Sequence, residues 1–279
     1  MQWCGGGVCR ACGVAYEYKI IRLMDILLTH GYFLYEDPLE QKVMKPYPPL
    51  GILYVSSYLK SKGFEVKVLD TTFKSREEVF TYLNNTRPAL VGIYCNLMTK
   101  PEVLKMIRSC KRVGSTVILG GPEPPYYAEE YIKYGADIVV IGEGELTLEE
   151  LIPHLQKYGK QNLTQIRGIV FQKENGSFEQ TPQRPFYEKL DNLPFPDRKA
   201  LDLQEYIRVW RQHHGLGSVS LICARGCPYT CAWCSHSVYG VSHRRRSPKN
   251  VADEVEMIVT EYKPDMLWYA DDVFTIHHH

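Results

Sequence analysis

The chain has 279 residues, a formal charge of +1 at neutral pH and 44% hydrophobic residues. That length allows about two domains with real cores. The balanced charge excludes a polyanion-binding protein as a whole, and no apolar run reaches the length of a membrane span. Residues 1–23 carry cysteines and glycines where a secretory signal needs an apolar segment, so the expected location is cytoplasmic.

Residues 1–23 hold Cys4, Cys9 and Cys12, a C-x4-C-x2-C spacing that matches part of the plant-type ferredoxin pattern. The fourth cysteine which that pattern needs does not occur before Cys95, and the stretch reads as a disordered leader with Met24 as the natural beginning. A regular alternation follows. Residues 24–30 read as a buried strand and 48–63 as a helix, with Pro48 and Pro49 at its start and Gly63 as its stop. Strands are predicted over 64–72, 89–98, 115–121 and 136–145. Helices are predicted over 75–86, where Ser75 and Glu78 form a capping-box pattern, and over 99–114, 126–135 and 146–159. The fold class is α/β: a doubly wound parallel sheet over residues 24–159. Ligands of such sheets bind beyond the carboxyl ends of the strands. The residues placed there are Thr29, His30, Gly31, Asn96, Gly120, Gly121, Gly142, Glu143, Gly144 and Glu145. Glycine lets a flat ligand approach the backbone, but tight strand-to-helix turns use the same residues, and spacing alone leaves both open.

Residues 160–212 read as a connector, with a hairpin over 166–181 turned at Asn175-Gly176 and an extended segment stiffened by Pro194 and Pro196. Its expected role is a covering flap and a spacer. A second domain occupies 213–279. Its first strand, SVSLICAR, leads into CPYTCAWC, which holds Cys227, Cys231 and Cys234. Three thiolates so spaced can hold three irons of a [4Fe–4S] cluster and leave the fourth iron open. The rival is structural zinc completed by His236, although such sites usually join two ligand pairs and no second pair follows. Cys223 reads as a small buried hydrophobe. Arg244, Arg245 and Arg246 read as solvated surface, with contact to an anionic substrate or a cofactor carboxylate as the alternative. A helix over 248–262 carries Val251, Val255, Ile258 and Val259 as its apolar stripe. Residues 264–275 read as the next strand and the turn after it, with Asp271 and Asp272 at the strand's carboxyl end, where barrel sites lie.

CPYTCAWC resembles the signature of radical S-adenosylmethionine enzymes. LGILYVSSYL, GGPEP and GEGE, placed ahead of it as here, resemble the cobalamin-binding domain of the class B members of that family. The resemblance implies a Rossmann-like cobalamin-binding domain over 24–159, followed by the start of a partial (β/α)6 radical S-adenosylmethionine barrel. It implies that Cys227, Cys231 and Cys234 ligate the [4Fe–4S] cluster, and that Trp233, Asp271 and Asp272 contact S-adenosylmethionine. Cobalamin would lie across the strand ends, lined by the ten residues named there. The D-x-H-x-x-G motif is absent and His30 lacks its spacing, which implies cobalamin without a histidine ligand. The implied activity is cleavage of S-adenosylmethionine to a 5′-deoxyadenosyl radical, for methylation or rearrangement of a small-molecule substrate. A reductant such as flavodoxin or ferredoxin would be a partner, with no nucleic acid and no membrane. Only the first strand–helix–strand of such a barrel is present, so the chain is expected to be cut within it and to turn over weakly or not at all. The alternatives are a corrinoid carrier without radical chemistry and a zinc-stabilised interaction protein.

Overall fold

The computed structural model describes residues 24–236 and 238–276; Cys4, Cys9 and Cys12 lie outside the described residues. Five β/α steps come first. They run β1 (Ile26–His30), the short α1 (Glu40–Val43), α2 (Leu50–Ser61), β2 (Val66–Leu69), α3 (Arg76–Thr86), β3 (Leu90–Tyr94), α4 (Lys100–Arg112), β4 (Thr116–Gly120), α5 (Ala128–Tyr134), β5 (Ile138–Val140) and α6 (Glu145–Tyr158). A hairpin follows, β6 (Ile169–Gln172) and β7 (Phe178–Gln180), then α7 (Leu203–His214). The chain continues through β8 (Ser218–Leu221), β9 (Ala224–Arg225), β10 (Arg244–Arg245), α8 (Pro248–Tyr262) and β11 (Met266–Tyr269).

The main sheet has the order β2-β1-β3-β4-β5-β6-β7. Its first five strands pair in parallel and the hairpin adds two antiparallel strands at the β5 edge. Successive side chains of β1 go to opposite faces, as a strand requires. Ile26 and Leu28 join Ile52, Leu59, Leu151 and Ile152 under α2 and α6. Leu27 joins Val79, Leu83, Val103 and Ile107 under α3 and α4. Both faces of the sheet are therefore covered, which is why its strands are apolar throughout. Gly92 sits mid-strand because a Cβ there would come within 2.8 Å of Leu28 Cδ2. The predicted capping box on α3 is present, with Ser75 Oγ accepting from the Glu78 N–H and Glu78 accepting from the Ser75 N–H.

Three expectations change. The hairpin over 166–181 is no flap: it is built into the sheet, because β5 would otherwise leave its outer backbone unpaired. The segment expected to be a spacer contains α7, which Asp202 caps and Gly215 ends at φ +79°. Its face of Leu203, Tyr206, Ile207 and Trp210 is buried, the first three with Val219, Leu221 and Ile258. The fifth strand stops at Val140, and residues 141–144 instead form the turn into α6, with Gly142 at φ +78°.

The arginine run is the fourth correction. Arg245 is exposed, but Arg244 and Arg246 are turned inward. Arg246 pairs with Glu254 of α8, which is 0% exposed, and Arg198 reaches the same carboxylate at 2.7 Å. Arg198 also donates to the Ser220 carbonyl at 2.9 Å and Arg246 to the Ile222 carbonyl at 2.9 Å. This buried triad fastens the linker, β8 and α8 together. A desolvated guanidinium without such partners would be costly, so these arginines cannot be read as surface.

Candidate functional site

The strand order reverses at β1, which pairs with β2 on one side and β3 on the other. Crevices form at such reversals, beyond the carboxyl ends of the strands. A cavity of about 610 Å³ lies there. The ends of β1, β3, β4 and β5 floor it, residues 48–52 and 55 at the α2 entry wall it, and Arg225, Val238 and Tyr239 reach it from beyond the sheet.

Of the ten strand-end residues, eight line this cavity: His30, Asn96, Gly120, Gly121, Gly142, Glu143, Gly144 and Glu145. Thr29 and Gly31 do not. The Thr29 hydroxyl donates to the Leu69 carbonyl at 2.8 Å and is wholly buried between strands. Gly31 lies against α4, where a Cβ would stand 2.9 Å from Val103 Cγ2. Gly120 is the opposite case, because a Cβ there would meet nothing within 4 Å. The floor at β4 is thus bare backbone facing open space, a surface that a flat group can lie on. Gly121 turns away at φ +108°, where any side chain would strike the Cys95 carbonyl. The cavity volume falls in the ordinary range for small-molecule sites, and its floor fits a corrinoid face.

His30 has both ring nitrogens engaged. Nε2 lies 2.9 Å from Asp70 Oδ1, and Nδ1 accepts from the Tyr32 N–H at 3.3 Å beside the Thr71 hydroxyl at 3.2 Å. Burial pushes the Asp70 carboxyl up, but hydrogen bonds from His30 and Thr72 outweigh it and hold Asp70 at about 2. The Tyr206 hydroxyl of α7 donates to the other Asp70 oxygen at 2.8 Å. This histidine is a tied structural group, in line with the missing D-x-H-x-x-G spacing. Asn96 caps the entry to α4, its Oδ1 accepting from the Thr99 N–H at 2.9 Å.

Glu143 and Glu145 spend their carboxylates on arginines. Arg225 donates to Glu143 Oε1 and to Glu145 Oε1, each at 2.7 Å, and Arg244 donates to both Glu143 oxygens at 2.9 Å. The Arg225 side chain is 4% exposed and lies against the rings of Tyr54 and Tyr239, with centroids at 5.1 and 5.5 Å. Burial works against its charge, but Glu145, Tyr239 and Glu143 hold its pKa well above the arginine range. Sequence reasoning assigns Arg225 no role. The signal that could have found it was a lone arginine ahead of Gly226-Cys227 and two glutamates in GEGE with no cation near them in sequence.

The cysteine loop begins at that arginine. β9 pairs with β10 in antiparallel fashion, Arg225 opposite Arg244. Gly226 turns at φ +84°, where a Cβ would lie 2.5 Å from the Ser242 carbonyl oxygen. Cys227 is half-buried and bridges to Val241, while Cys231 and Cys234 are exposed. The Tyr126 hydroxyl donates to the Ser235 carbonyl at 2.5 Å and ties the loop to the GGPEP turn. Among the described residues no three His, Cys, Asp or Glu side chains converge at metal-ligand distances, so the three sulfurs share a loop without being gathered. The donor set, three unpaired thiols on one exposed loop, fits an iron–sulfur cluster by its chemistry. His236 Nε2 lies 2.7 Å from the Tyr229 carbonyl, which gives that ring a backbone partner. Trp233 is 89% exposed. Asp271 accepts from the Cys223 and Ala224 N–H groups at 2.6 and 3.0 Å, and burial pushes its carboxyl up against those bonds. Asp271 therefore closes the end of β8, while Asp272 is exposed. The structure brings neither Trp233 nor Asp271 nor Asp272 into the cavity.

Residues 39–152 match the B12 binding domain. The chain is 29% identical over 236 residues to an uncharacterized methyltransferase of Pyrococcus horikoshii, covering 82% of this chain and 50% of that protein. It is 29% identical over 243 residues to the anaerobic magnesium-protoporphyrin IX monomethyl ester cyclase of Rubrivivax gelatinosus, covering 83% of this chain and 42% of that one. The chain spans half the length of these curated relatives or less. Its fold is similar to part of the cobalamin-dependent S-adenosylmethionine radical enzyme OxsB, solved with aqua-cobalamin and S-adenosylmethionine bound. The TM-score is 0.74 at 21% identity, over 91% of this chain and 34% of that one.

Proposed function

We propose, from a chain that carries a B12-binding domain over residues 39–152, that this protein holds a corrinoid in the sheet-edge cavity. We further propose that it holds a [4Fe–4S] cluster on Cys227, Cys231 and Cys234, and acts as a radical S-adenosylmethionine enzyme on a small-molecule carbon. Methylation is the favoured outcome, since the relatives include named methyltransferases. One observation carries the reading. Arg225, two residues before Cys227, is buried between Glu143 and Glu145, so the cysteine loop is fastened to the rim of the cavity.

When bound, the cluster supplies one electron to the sulfonium of S-adenosylmethionine and the corrinoid supplies a transferable methyl group or a radical partner. The chain's own residues bind and position. The bare backbone at Gly120 lets a planar macrocycle lie flat on the floor. Pro48, Pro49 and Leu50 give that floor an apolar wall, and Val238 and Tyr239 roof it. His30, bound at both nitrogens, offers no lone pair to a metal. The three cysteines would hold the cluster through their sulfurs, and Arg225 fixes where their loop begins. No described helix is long and apolar enough to cross a membrane. An oxygen-poor cytoplasm and a flavodoxin- or ferredoxin-type reductant complete the reading.

The test is anaerobic reconstitution of the full chain with iron, sulfide and hydroxocobalamin, followed by desalting. Retained corrinoid bands near stoichiometry, with a broad iron–sulfur shoulder that changes when S-adenosylmethionine is added, are expected. A desalted protein with neither feature would refute the proposal.

A further inference from the structure

The loop that carries the cysteines stands like an arch with both feet on the cavity. Its first foot is Arg225 and its second is Val238 and Tyr239, and all three line the cavity. Residues 229–234, between the feet, are exposed. Each foot is rigid. At the first, β9–β10 pairing and the tight Gly226 turn leave Cys227 little freedom relative to the Arg225 backbone. At the second, the Val238 carbonyl oxygen lies 3.6 Å from where a Cβ of Gly142 would stand, so the roof rests on the turn that leads into α6. That same turn carries Glu143 and precedes Glu145, the two partners of Arg225. A ligand pressed against Gly142, Glu143, Gly144 and Glu145 thus touches both supports of the loop at once.

We propose that Arg225, held by Glu143 and Glu145, is a positioning residue that couples occupancy of the cavity to the ordering of the cysteine loop. The inference rests on the corrinoid reading, which names the occupant of the cavity and supplies the probe. Its physical basis is the bidentate grip. Arginine's planar fork meets two carboxylates in fixed directions, so shifting either glutamate moves the guanidinium and the backbone behind it. The three groups are desolvated, so the coupling is not screened by salt as a surface pair is. Coupling is also reciprocal: ordering the loop tightens the cavity by the same factor. A lysine at 225 carries the charge but reaches only one carboxylate, so it separates grip from charge.

The experiment is hydrogen exchange on the intact chain under anaerobic conditions, with and without hydroxocobalamin, in the wild type, Arg225→Lys and Glu145→Gln. Retained corrinoid is measured on the same samples by absorbance. In the wild type, hydroxocobalamin is expected to slow exchange over 227–236 by about tenfold, a middling value for coupled sites. In Arg225→Lys and Glu145→Gln, corrinoid binds more weakly, as reciprocity requires, and at hydroxocobalamin concentrations that saturate each variant the slowing falls below about twofold. Tyr126→Phe, which removes the separate tie to Ser235, is expected to speed exchange with and without corrinoid while keeping most of the ratio. Should Arg225→Lys fail to fold, Glu145→Gln gives the same comparison from the other side of the pair. Corrinoid retained by the wild type with unchanged exchange in the loop overturns the inference and leaves the functional reading standing. Equal slowing in wild type and both variants also overturns it. A wild-type chain that retains no corrinoid overturns the functional reading itself, and the coupling with it.

Discussion

Neutralising Glu254 should loosen the second module without touching the cavity. Both of its oxygens serve buried arginines, Oε1 to Arg198 and Oε2 to Arg246, whose side chains are 1% and 5% exposed. Glu254→Gln keeps the shape but leaves two guanidiniums facing each other away from water. Breaking a buried pair in this way costs about 3–5 kcal/mol. The retained bonds to the Ser220 and Ile222 carbonyls argue for the lower end, about 3 kcal/mol. With an m-value of about 2 kcal/mol per molar urea, the midpoint should fall by about 1.5 M. Tryptophan fluorescence in a Trp3→Phe, Trp233→Phe background reads Trp210 of α7 and Trp268 of β11, which pack edge-on with ring centroids 6.0 Å apart. A shift under about 0.3 M would refute the reasoning, because it would mean that the triad is solvated in solution. A triple exchange, Arg198→Met, Glu254→Leu, Arg246→Met, should recover most of the loss, since apolar residues of similar volume often replace such triads at no cost.

Three further outcomes are expected. Gly120→Leu should fold normally, because its Cβ enters open space, yet lower corrinoid retention at least tenfold, about 1.4 kcal/mol or more, by desalting and absorbance; unchanged retention would mean that the floor of β4 is not the seat. Asp70, held at about 2 against an ordinary 3.8, contributes stability above pH 4 that is lost as pH falls towards 2, an effect of about 2 kcal/mol. Urea unfolding should show this loss in the wild type and not in Asp70→Asn. Cys227→Ala, Cys231→Ala and Cys234→Ala should each lose most iron and acid-labile sulfide after reconstitution. Cys95→Ala and Cys223→Ala should keep them, since burial pushes those thiols up to about 11 and about 12 and they are not thiolates at neutral pH.

Much of the fold was legible because its signals are local. Prolines before α2, the Ser75–Glu78 box before α3 and glycine stops after α2, α4 and α5 are one-turn effects, and each predicted helix of the sheet domain occurs. The helix α7 is legible too, although its segment reads at first as a spacer: Asp202, then apolar residues at 203, 206, 207 and 210, then Gly215, is a helical period between a cap and a stop. The prolines just before it obscure that period, because they favour extended chain. Eight of the ten strand-end residues line the cavity, while Thr29 and Gly31 pack within the fold. Their neighbours in α4 and β2 lie dozens of residues away, and no local period reports such packing.

Periodicity, capping and ligand spacing are written within a few residues, which is why the β/α alternation, the strand ends where a ligand can sit and the three-cysteine loop could be read from the linear chain. Which charges face inward could not, because that depends on long-range packing. Arg225 and Arg244 find Glu143 across about 80 and 100 positions of chain, and Arg246 and Arg198 find Glu254 inside a core. A charge in a sequence reads as surface because burying it alone is prohibitive. What makes its burial possible is a partner of opposite sign that only folding brings near.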